Sequence, residues 1–286
     1  MALPTSTVVI ATRDRPELVR ATVASVLAGE TVPEEIVVAD QSAAPTAIDG
    51  ARTLSVPPRG LSASRNRGIE AASGEIVLVT DDDILVAPGW HRAFVEALVA
   101  GGPHTVATGR VVIGEPEVPG GFAPSSAASE RPAAYRGRLA VDVLAGGNMA
   151  AWRATLVEIG LFDERLGAGA AFPAAEDNDL GFRLLEAGYE IVYVPEALAV
   201  HRAWRPERQH LVYRWRYGLG KGGFYSKHAL RGRMRGDIAP RVRRLPRGMR
   251  PGRRRAAAGD LAYVAGILAG AASWVWKERV RRRGGT

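Results

Sequence analysis

The chain has no cysteine in 286 residues, which excludes disulfides, thiolate-bound zinc and a thiol nucleophile, and leaves the redox compartment open. Its start lacks a charged stretch followed by an apolar one, because Met1-Ala2-Leu3-Pro4 runs almost directly into Val8-Val9-Ile10; secretion by a signal peptide is not expected. Acidic residues are scarce at the C-terminal end: residues 201–286 hold 4 Asp and Glu against 23 Lys and Arg, whereas residues 1–200 hold 26 against 15. The net charge of +8 therefore conceals an acidic body joined to a basic tail. The tail's partner should be anionic: membrane lipid, nucleic acid or a charged substrate.

What is present is enough apolar material, 47% of the chain, for one large domain or a domain with an extension. The most informative stretch is Thr80-Asp81-Asp82-Asp83, following the apolar run Glu75-Ile76-Val77-Leu78-Val79. The run reads as a short strand buried on both faces. Burying three ionised carboxylates would be very costly, so the strand must end there and the acids must meet water or a cation. Asp81 and Asp83, two residues apart, could share one hard cation through oxygen, and such a cation with free coordination sites suits a diphosphate. A solvated acidic turn is the other reading of the same residues.

Val8 to Ala11 reads as a first strand, with Asp14 as helix N-cap and Pro16 in the first turn of a helix that stops at Gly29. Glu35-Ile36-Val37-Val38-Ala39-Asp40 is a second strand tipped by an acid, completing a βαβ unit with a right-handed parallel crossover. A helix over residues 60–72 carries Arg65 and Asn66 on its first turns; Arg65 is either a surface cation or a ligand group between the two acid-tipped strands. Trp90 to Val99 is a further helix and Val106 to Ile113 a further strand, where Gly109 marks a bulge or a close backbone approach. Residues 114–138, rich in Pro, Gly, Ser and Ala, read as a binding loop or lid. Gly146-Gly147-Asn148 leads into a short strand. The helix opening with Glu176, Asp177 and Asp179 has acids where capping and the helix dipole alone would favour them. Strand-like stretches then lead to His201.

In order, these pieces resemble the family 2 glycosyltransferases over about residues 5–205. The matching motifs are Thr12-Arg13-Asp14-Arg15-Pro16, Asp40, Gly60-Leu61-Ser62-Ala63-Ser64-Arg65-Asn66, Asp81-Asp82-Asp83, Gly146-Gly147-Asn148, Gly160-Leu161-Phe162-Asp163-Glu164 and Glu176-Asp177-Asn178-Asp179-Leu180. Each is weak alone, and seven in order are specific. The resemblance implies an α/β chain with the GT-A nucleotide-diphospho-sugar transferase fold, a mostly parallel central sheet flanked by helices, and a basic helical C-terminal extension. It implies a catalytic domain over 1–205, with a nucleotide-sugar half about 1–113 and an acceptor half about 139–205, and an extension over 206–286. Asp177, after Glu176, looks like the general base. Ala11, Thr12, Arg13, Asp40, Arg65, Asp81 and Asp82 look like donor-binding residues. Asp81, Asp83 and His201 look like ligands of a divalent Mg or Mn cation, although His201 could equally be an ordinary histidine. Gly147, Asn148 and Trp204 look like acceptor-side residues.

The implied reaction is inverting transfer of a sugar from a nucleoside diphosphate donor to a saccharide or lipid-linked acceptor, in cell-envelope polysaccharide or glycolipid synthesis. Many members carry paired acids after the second strand; here the chain reads Ala39-Asp40-Gln41-Ser42, which leaves the base open. Processive members carry Gln-x-x-Arg-Trp; Gln209 and Arg214-Trp215 are too far apart for it, so single addition is expected. One alternative is a sugar-phosphate nucleotidyltransferase, against which stands the absence of glycine from the turn after the first strand. Another is a nucleic-acid-binding protein acting through the Arg-rich tail.

In that tail, His210 to Leu230 reads as a helix interrupted by glycines, and residues 231–255 as a poorly packed connector. Leu261 to Trp276 is a charge-free run of 16 residues with cations at both ends. A helix over 260–280 lying on an anionic leaflet fits this pattern, with a helix packed on the catalytic domain or a dimer partner, and a true span, as the other readings. A peripheral position at the inner face of the plasma membrane is the corresponding expectation, with no specific nucleic acid as partner.

Overall fold

The computed structural model describes residues 3–123, 125–202, 204–245 and 253–283. By its internal packing the chain divides into two compact units, Met1–Glu164 with Asp177–Trp204, and Arg165–Glu176 with Arg205–Thr286.

The first unit is built on a sheet of nine strands among the described residues. In chain order it runs β1 (Ser6–Thr12), α1 (Pro16–Leu27), β2 (Glu35–Asp40), β3 (Arg52–Ser55), α2 (Leu61–Ala71), β4 (Ile76–Asp81), β5 (Ile84–Val86), α3 (Trp90–Gly101), β6 (Thr105–Ile113), β7 (Ala133–Tyr135), β8 (Asn148–Trp152), α4 (Arg153–Glu158), α5 (Glu176–Glu186) and β9 (Glu190–His201). The sheet order is β3-β2-β1-β4-β8-β6-β9-β5, with β7 on β9. The half from β3 to β4 is parallel, as the βαβ reading requires. Beyond it, β8 lies antiparallel to both β4 and β6, and β6 and β9 are again parallel. Alternate residues of the buried strands feed two cores: Val8, Ile10, Ile76 and Leu78 face the side of Val23, Trp90 and Phe94, while Val9, Val77 and Val79 face the side of Ile69, Leu156 and Leu184. Apolar burial on both faces is what makes these strands read as continuous apolar runs.

Several local expectations are corrected. The N-cap of α1 is Arg15, without a side-chain capping bond; Asp14 instead takes a left-handed backbone (φ 56°) and donates its N–H to Ser42 Oγ at 2.7 Å. The 114–138 stretch is anchored in many places: Val111 bridges Ala127, β7 pairs with β9, and Tyr193 donates to the carbonyl of Ala127 or Ser129. The Gly109 expectation holds, for the β6–β9 register shifts between Gly109 and Val111.

The second unit contains α6 (His210–Lys227), α7 (Arg231–Arg244) and α8 (Arg254–Arg283). Glycines do not interrupt α6. A methyl group on Gly218 would lie 2.1 Å from the Tyr263 carbonyl oxygen, and one on Gly270 would lie 2.1 Å from that of Leu219, so glycines on both helices let α6 and α8 pack backbone to backbone. Residues 231–244 are not a loose connector but α7, clasped to this pair by Asp237, which accepts from Tyr225 and Tyr263 (2.9 and 3.0 Å) and pairs with Arg241. The rest of the expected connector includes residues 246–252, outside the described residues. The α8 helix is long and apolar enough to cross a membrane, by length and composition alone.

Candidate active site

The C-terminal ends of β1, β2 and β4 point the same way, bringing Thr12, Asp40 and Asp81 to one edge of the sheet. Thr12, the last residue of β1, is buried and donates its hydroxyl to Asp82 Oδ2 at 2.7 Å. Asp82 and Asp83 form a turn rather than continuing β4, and Arg15 bridges them, with Nη1 3.1 Å from a carboxylate oxygen of each. Burial and the neighbouring Asp83 carboxylate push Asp82 up to about 6, against the Thr12 hydrogen bond and Arg15, which favour its ionised form.

Asp83 also meets His201. Strand β5 follows the acid turn directly and pairs antiparallel with β9, placing Ile84 opposite His201. Nε2 of His201 thereby lies 3.3 Å from Asp83 Oδ1, and Nδ1 lies 3.3 Å from the Ser125 carbonyl oxygen. Burial opposes charge on this imidazole, but the hydrogen bond and the charge of Asp83 outweigh it, so its pKa is raised above the ordinary value.

Arg65 lies on α2 with only 1% of its surface exposed and its guanidinium over the Phe162 ring. Its Nη2 donates to Asp81 Oδ1 at 2.5 Å. Gly146 and Gly147 run beside this pair. A methyl group on Gly147 would fall 2.3 Å from Asp81 Oδ2; one on Gly146 would fall 2.9 Å from Asp177 Cβ and 3.0 Å from Arg65 Nη1. The two glycines thus let Asp177, Arg65 and Asp81 close around one stretch of backbone. Asp177 accepts the N–H of Asn178 at 2.7 Å on the first turn of α5; Glu176 is the first residue of that helix. Asp179 serves the fold. Fully buried, it holds Arg183, whose guanidinium donates to the carbonyls of Ile159 and Leu161. Asn66 closes the same turn by exchanging two hydrogen bonds with the Phe162 backbone, at 2.9 and 3.0 Å.

The end of β2 borders a cavity of about 460 Å³ lined by Arg13, Asp14, Gln41, Ser42, Val56 and Pro57 among others. Ala11 and Asp40 are buried beneath it. Asp40 turns inward and accepts from Ser42 N and Oγ at 2.8 and 2.5 Å, fixing the cavity wall.

One acceptor-side expectation changes. Asn148 has no exposed surface and its amide is wholly engaged, accepting from Trp90 Nε1 at 2.6 Å and donating to the Arg110 and Ala197 carbonyls at 3.0 Å each. It has nothing left to offer an acceptor and holds strands together instead. Trp204 spends its N–H on the Gly114 carbonyl, at 3.0 Å. Arg15 was not among the expected site residues; its signal is its place beside Pro16 in the turn after β1, but nothing in the spacing tells which of Arg13 and Arg15 turns toward the acids. Among the described residues, no group of three or more His, Asp or Glu side chains is gathered to hold a metal on protein ligands alone.

The sequence matches none of the curated proteins. Among solved structures, a mannosyltransferase from Pyrobaculum calidifontis in complex with GDP-Man and Mn2+ is 15% identical, with TM-score 0.61 over 97% of this chain and 88% of that one. GalNAc-T7, solved with UDP, GalNAc and Mn2+, is 18% identical with TM-score 0.55 over 71% of this chain, which spans only 44% of its length. TarS of S. aureus is 18% identical with TM-score 0.53 over 74% of this chain and 39% of its own. These likenesses show a shared fold, that of GT-A glycosyltransferases. Residues 7–157, more than half of the chain, match the sequence profile of glycosyl transferase family 2, and the chain belongs to that family.

Proposed function

We propose that this glycosyltransferase moves one sugar at a time, with inversion at the anomeric carbon, from a nucleoside diphosphate donor to an acceptor hydroxyl. The observation that carries this reading is the convergence of Asp177, Arg65 and Asp81 around Gly146-Gly147, which sets a carboxylate beside a buried cation–acid pair. In this reading the base occupies the cavity walled by Arg13, Gln41 and Ser42. Arg65 orients Asp81, and Asp177 takes the proton of the acceptor hydroxyl as that oxygen attacks the anomeric carbon. The glycosidic bond to the diphosphate breaks on the opposite face, and no covalent enzyme intermediate forms.

The donor set fits a divalent cation. His201 turns Nδ1 to a backbone carbonyl, the outer hydrogen bond that orients an imidazole for a metal, and this leaves Nε2 beside the Asp83 carboxylate to serve as a ligand with it. Asp83 and His201, with Asp81, would hold it, and diphosphate oxygens would complete a shell the protein alone leaves short. The cation would supply charge stabilisation to the leaving diphosphate. Two fold relatives were solved with Mn2+ and a nucleotide or nucleotide sugar, which supports a divalent cation in this reading.

A saccharide or lipid-linked saccharide of cell-envelope polysaccharide or glycolipid synthesis, met at the inner face of the plasma membrane, is the acceptor class we infer. Its support is the cationic C-terminal unit.

The test is nucleotide release from UDP-, GDP- and dTDP-sugars with Mn2+ or Mg2+, with and without chelator, in wild type and Asp177→Asn. One donor should be consumed, chelator should abolish its turnover, and Asp177→Asn should lose transfer by a factor of at least about 100 while binding the nucleotide as before. A variant that kept most of its turnover would remove Asp177 from the role of base.

A further inference from the structure

We propose that the outward face of α8 is a docking surface for an anionic lipid bilayer, lying in the headgroup layer without spanning it. This gives the membrane-side acceptor reading a particular surface, and it does not depend on the transfer chemistry.

Leu261, Leu268 and Val275 recur every seventh residue on α8 and are 57%, 54% and 43% exposed; Trp276 and Val280, further round the helix from that line, are 63% and 50% exposed and widen the apolar face. Tyr263, Val264, Ile267 and Trp274 point inward and are buried. Of the 17 large hydrophobic side chains exposed among the described residues, 5 lie on this one helix, well above its share of the chain. The apolar exposure is therefore concentrated, as at an interaction face, and not scattered as on ordinary surface.

Charge identifies the occupant. The four acids of residues 205–286 are each committed to arginines: Glu207 to Arg255, Asp237 to Arg241, Asp260 to Arg214 and Glu278 to Arg165. The other cations far outnumber these acids, with Arg254 exposed before the stripe and Lys277, Arg279 and Arg281 exposed at its end. An apolar stripe with cations at both ends complements anionic headgroups over acyl chains, each nearby Lys or Arg contributing about 1 kcal/mol.

A span fits less well. Although α8 as a whole is long and apolar enough to cross a membrane by length and composition, its charge-free run is 16 residues, short of the roughly 20 that a bilayer core requires. The opposite side of α8 is occupied by α6, which brings Arg214 against Tyr263 and Asp260, and by the Asp237–Arg241 clasp. Those charges cannot enter hydrocarbon cheaply.

The full chain is floated with vesicles of phosphatidylcholine alone or with about one third phosphatidylglycerol. Wild type should float with the anionic vesicles at low salt and at least about 10-fold less with the neutral ones. The pair Leu268→Glu and Trp276→Glu should lower flotation by a further factor of about 10 or more while melting as wild type does. Should that pair fail to fold, brominated lipid in anionic vesicles should quench wild-type tryptophan fluorescence more than that of Trp276→Phe. No flotation, flotation indifferent to both glutamates or quenching indifferent to Trp276→Phe overturns the proposal. So does resistance to alkaline extraction, which marks a span. A dimer that binds no vesicle, or preference for a duplex oligonucleotide over anionic vesicles, overturns it as well. Because flotation needs no turnover, this result and that of the donor panel stand separately.

Discussion

Nε2 of His201 stands 3.3 Å from Oδ1 of Asp83, and the pair joins the end of β9 to the turn after β4. A divalent cation would compete with a proton for that nitrogen. Because Asp83 holds the imidazole pKa above its ordinary value, Mn2+ affinity in the presence of nucleoside diphosphate should rise as pH rises through the His201 titration. His201→Asn should lower affinity by a factor of about 10–100 and flatten the pH dependence. Electron paramagnetic resonance of free Mn2+ measures both.

Gly147 leaves room for Asp81. In Gly147→Ala the new methyl would sit 2.3 Å from Asp81 Oδ2, so the carboxylate must move or the strand must shift. The expected cost is about 1–3 kcal/mol of stability, with nucleotide diphosphate binding weakened out of proportion to the fall in melting temperature. Unchanged calorimetric binding in the alanine variant would separate Asp81 from the donor.

Arg65 and Asp81 are a buried cation with a partly buried anion. Arg65→Met removes one partner and should cost about 3–5 kcal/mol, whereas Arg65→Lys keeps the charge but not the planar fork. The lysine variant should fold and bind nucleotide weakly. Urea denaturation gives the first quantity and a binding isotherm the second.

Glu35 carries a pH-dependent part of the stability, remote from the acids at the opposite strand ends. Burial raises its pKa, but hydrogen bonds from Ser73, Arg52 and Thr7 overcome that and lower it to about 2. A folded pKa below the unfolded one stabilises at higher pH, and this contribution disappears as pH falls from about 4.5 toward 2. The shift alone would correspond to about 3 kcal/mol, which solvent screening should reduce to about 1–2 kcal/mol. Glu35→Gln should lose that amount at pH 7, and its difference from wild type should shrink below about pH 4.5. Urea midpoints across that range check it.

Strands β1, β2 and β4 were legible because they are apolar runs buried on both faces, and β2 and β4 end abruptly in acids. Strand β3 is four residues, none fully buried, and β5 is three residues between an acid turn and a proline, so neither has a periodicity to read. The antiparallel insertion of β8 depends on its partners and leaves no mark in Asn148-Met149-Ala150-Ala151-Trp152. The glycines of α6 look like breaks when read alone and become contacts only when α8 is beside them. Helix α7 is poor in apolar residues, and what holds it, Asp237 with Tyr225 and Tyr263, is brought together by folding. In the candidate site, the residues the structure brings close together, Asp81, Asp83, Arg65, Asp177 and His201, had each been singled out from sequence, since each stands at or near the end of a readable element. Arg15 escaped, and Asn148 was misjudged, because an inward-turned asparagine and an outward one have the same neighbours in sequence.

The Asn148 amide joins α3, β6 and β9 to β8 through one acceptor and two donors. Aspartate would lose the donors, and glutamine would add a methylene where no space exists. In a library randomised at every position, 148 should therefore come back unvaried. Exposed cavity residues such as Arg13, Ala43 and Pro57 should accept many substitutions. If the cavity holds the nucleobase as proposed, donor preference would then drift in a lineage without refolding the scaffold, because the residues lining that cavity and the residue that locks the strands are different ones.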